Sequence, residues 1–422
     1  MKLQVLSKMG RRIVEPPISW LMTAAFSRPK LISLAAGFTD NASLPVAETR
    51  ALLDSILHSN KTGQPALQYG STAGDVTLRQ LTTQHLQKLD GKRGKNYATG
   101  RTFITGGSQQ LLYMTLEALC DTGDIILVED PTYFVFLSIL QSHGLHARGV
   151  KLERDGLDLA HLESVLERLK KSGQLRRVKS LYLVSYFQNP TGVTTSFKKK
   201  QAALKLLKKF ERAAGHPIYL LEDAAYRELR FTGKDIPSAL ATGGAVERVI
   251  YTGTYTKPFA TGARVGFGIL PEPLFTAVKR IKGNHDFGTS NLLQQLVSRA
   301  LATGIYDQHV ARLQKRYAHK ARVMKLSLAE NFPSNVEIWE SGGGLYFWAR
   351  LPEKISTGVK SNVFQTAFKN DVLYVPGELC YADDPSRAKP DNEMRISFGS
   401  ANEENIRKGI ARLGAVLRKF VR

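Results

Sequence analysis

Cysteine is nearly absent from the chain. Two residues, Cys120 and Cys380, in 422 are too few for a disulfide framework or a cysteine-rich zinc site. Long apolar runs are missing too; none approaches the ~20 residues a membrane span needs. The opening stretch MKLQVLSKMGRR has no apolar core of the kind a secretory signal carries. No fixed-period repeat, low-complexity tract, zinc-finger spacing, basic-zipper heptad or RNA-binding aromatic signature is present. These absences exclude the secreted disulfide-rich, membrane-spanning and repeat classes. They lead us to expect a cytoplasmic protein with no metal site and no membrane partner.

Acidic residues also run short. Lys and Arg number 59 against 37 Asp and Glu, a formal charge of +22. Much of the excess lies in LKKSGQLRRVK and SFKKKQAALKLLKKFER. In the second stretch Leu204, Leu207 and Phe210 recur at helical spacing with lysines between them. That pattern predicts a surface helix with one buried face and a solvated basic face. A nucleic-acid patch is the sharper alternative, but charge alone is weak evidence of a partner.

What is present is an ordinary globular composition, 43% apolar and 23% charged. A chain of 422 residues exceeds what one core usually spans, so two domains are expected. From about residue 100, short apolar runs alternate with helical patterns. RTFIT, DIILVED, SLYLVSYF, PIYLLED and RVIYTG read as buried strands of a mostly parallel sheet. After about residue 305 come a long charged helical pattern, the glycine-rich strand region ESGGGLYFWARL and a final helix, ENIRKGIARLGAVLRKF. The expected division is 1–45 and 306–422 for a smaller α+β domain, and 46–305 for a large α/β domain. The first ~45 residues have weak periodicity and suit packing against either part.

Ligands of open α/β sheets bind beyond the carboxyl ends of the strands. RTFIT is followed by Gly106, Gly107, Ser108 and Gln109 at a helix start, which suits either a phosphate or an ordinary cap by Ser108. DIILVED leads to Tyr133, a core residue or a flat face for a planar ring. SLYLVSYF leads to Asn189-Pro190-Thr191-Gly192, a turn or an amide aimed into the crevice. PIYLLE ends at Asp223, with Tyr226 three residues on; the carboxylate is a helix cap or faces a cation. RVIYTG leads to TYTKPFATGAR, where Lys257 has no acidic neighbour but has Thr254, Thr256 and Arg264 around it. Pyridoxal 5′-phosphate asks for all of these together. Its aldehyde suits a lysine, its ring nitrogen an aspartate, its phenolic oxygen Asn and Tyr, its ring face an aromatic, and its phosphate hydroxyls, an arginine and a helix N-terminus.

With SLAAG, LQYG, TGGSQQ, DPTY, NPTG, DAAY, TYTKPFATGARVG and MRISFG in this order, residues ~30–420 resemble the fold-type I, class I/II aminotransferases. They are most similar to the branch holding 2-aminoadipate, kynurenine and aromatic aminotransferases. The resemblance implies that Lys257 bonds covalently to the cofactor, that Asp223 pairs with the ring nitrogen, and that Asn189 and Tyr226 hold the ring oxygen. It implies Tyr133 as the stacking aromatic, and Gly107, Ser108, Gln109, Thr254, Thr256 and Arg264 as the phosphate seat. Tyr69 of LQYG resembles the tyrosine that reaches the partner subunit's phosphate, which implies a homodimer with shared sites. Arg395 of MRISFG resembles the arginine that takes the substrate α-carboxylate, and Gly37 the substrate-contacting backbone. The implied reaction carries an amino group from an L-amino acid to a 2-oxo acid such as 2-oxoglutarate by a ping-pong route.

The chain departs from relatives at Thr254 and Thr256, where serine is usual, and at LAAGFTD. Ser19 stands where the 2-aminoadipate branch places an arginine for a distal carboxylate. Aromatic or aliphatic donors are therefore expected to outrank 2-aminoadipate, with Arg11, Arg12 or Arg28 left to serve a dicarboxylic acceptor. The competing expectations are a β-lyase or acyl-transfer synthase on the same fold, or a ligand-sensing regulator. The regulator is less expected because the resemblance already begins near residue 30.

Overall fold

The computed structural model describes residues 5–91 and 97–421. The outermost residues of the expected first and last segments, 1–4 and 422, lie outside the described residues. A short strand β1 (Ile32–Ser33) precedes a large sheet. That sheet contains β2 (Thr102–Thr105), β3 (Ile125–Asp130), β4 (His146–Glu153), β5 (Gly156–Leu157), β6 (Val178–Val184), β7 (Tyr219–Asp223), β8 (Val249–Thr254) and β9 (Gly266–Ile269). Its spatial order is β2-β9-β8-β7-β6-β3-β4-β5. Strands β8, β7, β6, β3 and β4 run parallel. Almost every residue of β3, β6, β7 and β8 is buried, as two covered sheet faces require.

Strand β9 is antiparallel to both β8 and β2, and the apolar-run pattern did not mark it. Its sequence, GFGI, breaks that pattern with Gly266 and Gly268. Both glycines are there for close approach. A Cβ on Gly266 would lie 2.4 Å from the Gly107 carbonyl carbon, and one on Gly268 would lie 2.2 Å from a Leu111 methyl. The helix Ser108–Leu119 thereby seats directly on the strand.

The basic helix forms over Phe197–Ala214 and buries Ala203, Leu207, Phe210 and Ala214, while Leu204 packs partly buried against the core. Several of its lysines meet carboxylates: Lys199 pairs with Glu153 and Asp155, and Lys209 with Glu163. Lys200 turns inward instead, to the buried Glu222 at 2.8 Å.

A helix of 27 residues, Ile305–Asn331, runs from the large sheet to a smaller one. At 1.5 Å per residue it spans about 40 Å. The smaller sheet uses β10 (Glu337–Trp339), β11 (Tyr346–Arg350), β13 (Val375–Pro376) and β14 (Glu393–Ser397), ordered β10-β11-β14-β13, while β12 (Val372–Leu373) pairs elsewhere. That pairing is with β1: Ile32 lies opposite Val372 in a parallel register. The Ser397 N–H also donates to the Leu34 carbonyl at 2.7 Å. The N-terminal segment thus packs both ways. Residues 31–34 pair with β12 and bond β14 of the small sheet through Leu34, while the helices Lys8–Arg12 and Pro17–Ser27 lie on the helix Phe134–His143 of the large one.

Candidate active site

The parallel strands deliver their carboxyl ends to one side, and the loops there enclose a cavity of about 160 Å³. Ser108, Gln109, Tyr133, Asn189, Asp223, Tyr226, Thr254, Thr256, Lys257 and Arg264 all line it. Residues spread over 157 positions of sequence therefore meet around one space, as the strand-end argument requires.

Several open alternatives close. The helix Ser108–Leu119 has Gly107 as its N-cap, at φ 94°, and no side chain caps it. Ser108 is therefore not a cap; it and Gln109 line the cavity at an uncapped helix start, which suits an anion. Gly107 does not line the cavity itself. A Cβ there would lie 2.7 Å from Arg264 Nη2, so the glycine makes room for the arginine. Arg264 sits in the left-handed region at φ 50°, a conformation seldom adopted away from glycine and found at functional sites. The Thr254 hydroxyl donates to the Val265 carbonyl at 3.2 Å and accepts from the Thr256 N–H at 3.1 Å. The Thr256 hydroxyl is buried and has no protein partner. A buried hydroxyl beside an arginine and an uncapped helix start is the arrangement a phosphate would complete.

Asp223 precedes no α-helix; a 3-10 turn, Arg227–Leu229, follows. Its Oδ2 accepts from the Tyr182 hydroxyl at 2.9 Å and its Oδ1 from the Ala225 N–H at 3.1 Å. Burial raises this carboxyl to about 6, against the pull of those two donors. Among the described residues no cation pairs with it, which suits a cationic ligand atom.

Lys257 Nζ donates to the Gly37 carbonyl at 2.7 Å, which brings the predicted substrate-side backbone onto the lysine. Burial pulls the amine down to about 8, and Arg264 and Arg395 push the same way. Arg395 is itself buried. It donates through Nη1 to Asn189 Oδ1 at 2.7 Å and through Nη2 to the Ala35 carbonyl, while Nε has no partner. Its guanidinium lies 4.4 Å from the Tyr346 ring centroid and 5.3 Å from that of Phe134. Tyr226 bonds the Tyr346 hydroxyl at 3.0 Å. Burial, and then Tyr346, hold the Tyr226 hydroxyl well above its ordinary value, so it stays protonated as a donor.

Tyr69 is not brought to the cavity. It is 83% exposed, edge-on to Phe287 with ring centroids 5.4 Å apart. The three arginines expected to serve a dicarboxylic acceptor are not at the cavity either. Arg11 donates to the Leu6 carbonyl, Arg12 to Ser142, and Arg28 to Asp371 and Phe368. They are tied down by their own neighbours in the N-terminal packing.

The sequence reading missed Leu112, Val184, Ala225, Tyr182 and Tyr346. Two of these carry a signal. Val184 lines the cavity and Tyr182 reaches Asp223 because they are two apart on β6 and share a face. Tyr346 had none, since its partners come from distant segments.

The family-model match covers residues 29–413 and is described as aminotransferase class I and II. The chain belongs to that family. The Thermococcus litoralis aromatic-amino-acid aminotransferase 1 is 31% identical over 390 residues, 92% of this chain and 88% of its own. The Thermus thermophilus 2-aminoadipate transaminase is 30% identical over 393 residues, 93% and 91% of the two chains. Among solved structures, the Pyrococcus horikoshii kynurenine aminotransferase superposes with a TM-score of 0.89 at 29% identity, covering 99% of this chain and 98% of that one. This protein is therefore an aminotransferase of fold type I that uses pyridoxal 5′-phosphate to move amino groups. The lyase, synthase and regulator readings are not favoured. Among the described residues no helix is long and apolar enough to cross a membrane, and no cluster of His, Cys, Asp and Glu is arranged to hold a metal.

Proposed function

We propose that Lys257 is the lysine that binds the cofactor and moves the substrate's α-proton. The observation that carries this is a buried amine in a strand-end cavity, pushed down by two arginines and, among the described residues, ion-paired with no carboxylate. When bound, the cofactor supplies an electron-accepting ring for the charge that develops at the substrate's α-carbon. The protein's own groups do the rest. Asp223 holds a proton on the ring nitrogen, Asn189 and Tyr226 donate to the ring oxygen, and Tyr133 covers the ring face. Ser108, Gln109, Thr254, Thr256 and Arg264 hold the phosphate. Lys257 Nζ, neutral at moderately alkaline pH, takes the α-proton as general base and gives it up again. Arg395 orients the substrate through a charge-assisted pair with the α-carboxylate, exchanging its bond to Asn189 for it.

In the same reading, residues 46–305 form the cofactor-binding domain, and 1–45 with 306–422 form the substrate-side domain. The exposed Tyr69 reaches the site of a second copy, so the active form is a homodimer. Donor and acceptor alternate in a ping-pong cycle, with 2-oxoglutarate as an acceptor. Aromatic and aliphatic L-amino acids are preferred donors. Support for this preference is that Leu112, Val184 and Ala225 add only apolar surface, and that Arg11, Arg12 and Arg28 are bonded elsewhere. Phe38, next to Gly37, is 40% exposed and offers an apolar rim.

The test is kcat/KM for phenylalanine, leucine, kynurenine and 2-aminoadipate under one acceptor. A missing charged hydrogen bond is worth roughly 1.5–3 kcal/mol, so 2-aminoadipate should trail by about ten- to a hundredfold. A lead of more than tenfold for 2-aminoadipate would overturn the donor assignment. Sedimentation of an active monomer would overturn the shared site.

A further inference from the structure

Tyr346 has no part in the chemistry just described, yet it touches three of its components. The side chain is fully buried on β11 of the small sheet. Its hydroxyl lies 3.0 Å from that of Tyr226, and the two rings meet edge-on with centroids 5.7 Å apart. Its ring supports the Arg395 guanidinium at 4.4 Å. A Cβ on Gly37 would come within 2.6 Å of its hydroxyl, so the backbone that receives the Lys257 amine passes beside it. One side chain of the small sheet thus joins a large-sheet tyrosine, an arginine and the N-terminal strap.

The direction of the hydroxyl pair follows from counting protons. A tyrosine hydroxyl has one to give. If Tyr226 gives its own to the ring oxygen of the cofactor, the bond between the hydroxyls must run from Tyr346 to Tyr226. A donor acting on the Tyr226 oxygen polarises the Tyr226 O–H and strengthens its outward bond. The titratable and charged groups facing the pair are Tyr133 at the start of the helix Phe134–His143, Arg395 on β14 and, through the Gly37 carbonyl, Lys257.

We propose that Tyr346 is a positioning residue of the transamination site: its hydroxyl donates to Tyr226 and fixes that residue's proton on the cofactor's ring oxygen, while its ring braces Arg395. The inference rests on the assignment of Tyr226 as a ring-oxygen ligand. It makes the small sheet a contributor to the electronics of the cofactor as well as to substrate capture.

Tyr346→Phe separates the two roles, because it keeps the ring and removes only the hydroxyl. The visible band of the lysine-bound cofactor is titrated against pH in the holoenzyme. A weaker hydrogen bond to the ring oxygen leaves that oxygen more basic, so the titration midpoint should rise by about half a unit. The kcat should fall about two- to tenfold, the range of one neutral hydrogen bond. The donor KM should stay within about twofold, since Arg395 keeps its support. Tyr346→Leu removes the ring too and should raise the donor KM as well. In a Tyr226→Phe background, adding Tyr346→Phe should leave the midpoint where Tyr226→Phe alone puts it. An unmoved midpoint in Tyr346→Phe, or an equal shift in both backgrounds, overturns the proposal. If Tyr226→Phe itself leaves the midpoint unmoved, the assignment of Tyr226 fails first, and the two failures are told apart.

Discussion

Glu222 and Asp223 are neighbours on β7, and their side chains go to opposite faces of the sheet. Each meets a different kind of environment. Glu222 reaches Lys200 at 2.8 Å, and neither side chain has any exposure. Lys200 also donates to the Pro237 carbonyl at 3.1 Å and sits 3.9 Å above the Tyr186 ring centre. Asp223 and Lys257 face one cavity, and among the described residues neither forms an ion pair. Burial lowers both lysines from their ordinary value. The difference is in what balances it. On one face a lysine and a carboxylate neutralise each other and become part of the core. On the other, a lysine and a carboxylate are kept from each other, and both await something from outside. A buried charge with a partner is structure; one without is available for chemistry.

Four measurements bear on that contrast. Lys257→Ala should reduce transamination by ~10⁴ or more, and the cofactor-free variant should unfold no more easily than its parent, since nothing loses a counter-ion and an unpartnered buried amine is removed. Borohydride should fix the cofactor on Lys257; label on a peptide carrying Lys200 instead would reverse the roles of the two faces. Lys200→Met should do the opposite. It strands Glu222 in the core and should cost about 3–5 kcal/mol in denaturant unfolding, with Lys200→Met/Glu222→Leu recovering most of it. A stable single variant would show that the pair is not the balanced unit described here. Asp223→Ala should keep some cofactor but lose a factor of ~10³ in kcat, about 4 kcal/mol; near-normal turnover would remove Asp223 from the site.

The smallest effect is in pH. Lys257 lies near 8 in the folded protein, below an ordinary lysine. Cofactor uptake by the cofactor-free protein needs the neutral amine, so its rate should fall about tenfold per pH unit below 8 and level off above. The sign for stability is the same. Between about 8 and 10.5 the unfolded chain holds the extra proton, so this residue's contribution to stability rises with pH across that window, and its cost stands below it. A rate that keeps rising tenfold per unit past 8 toward 10.5 would mean the amine is not depressed.

The sequence made one face of this contrast legible and left the other silent. Lys257, Asp223, Asn189 and the glycine-led helix start each end a buried apolar run, and a parallel sheet aligns such ends whatever the loops between them do. Lys200 read as one more lysine on a basic helix, because its position on the inward face shows only once the helix is laid against β7. The same reason hid Tyr346, whose three contacts lie more than a hundred residues upstream or about fifty downstream. Strand β9 was hidden by its glycines, which serve packing rather than pattern. Arg11, Arg12 and Arg28 went the other way. Charge made them candidates, and local carbonyls and Asp371 claimed them.

The pairing of β1 with β12, and of Leu34 with Ser397, has a consequence for how the chain is made. During synthesis the strands of the large sheet emerge first and have their partners within residues 102–269. Residues 31–34 leave the ribosome early but must wait for strands that come almost last, and Arg395 arrives with those strands. A nascent chain can therefore gather the residues that line the cavity, all between 108 and 264, before Arg395 reaches them.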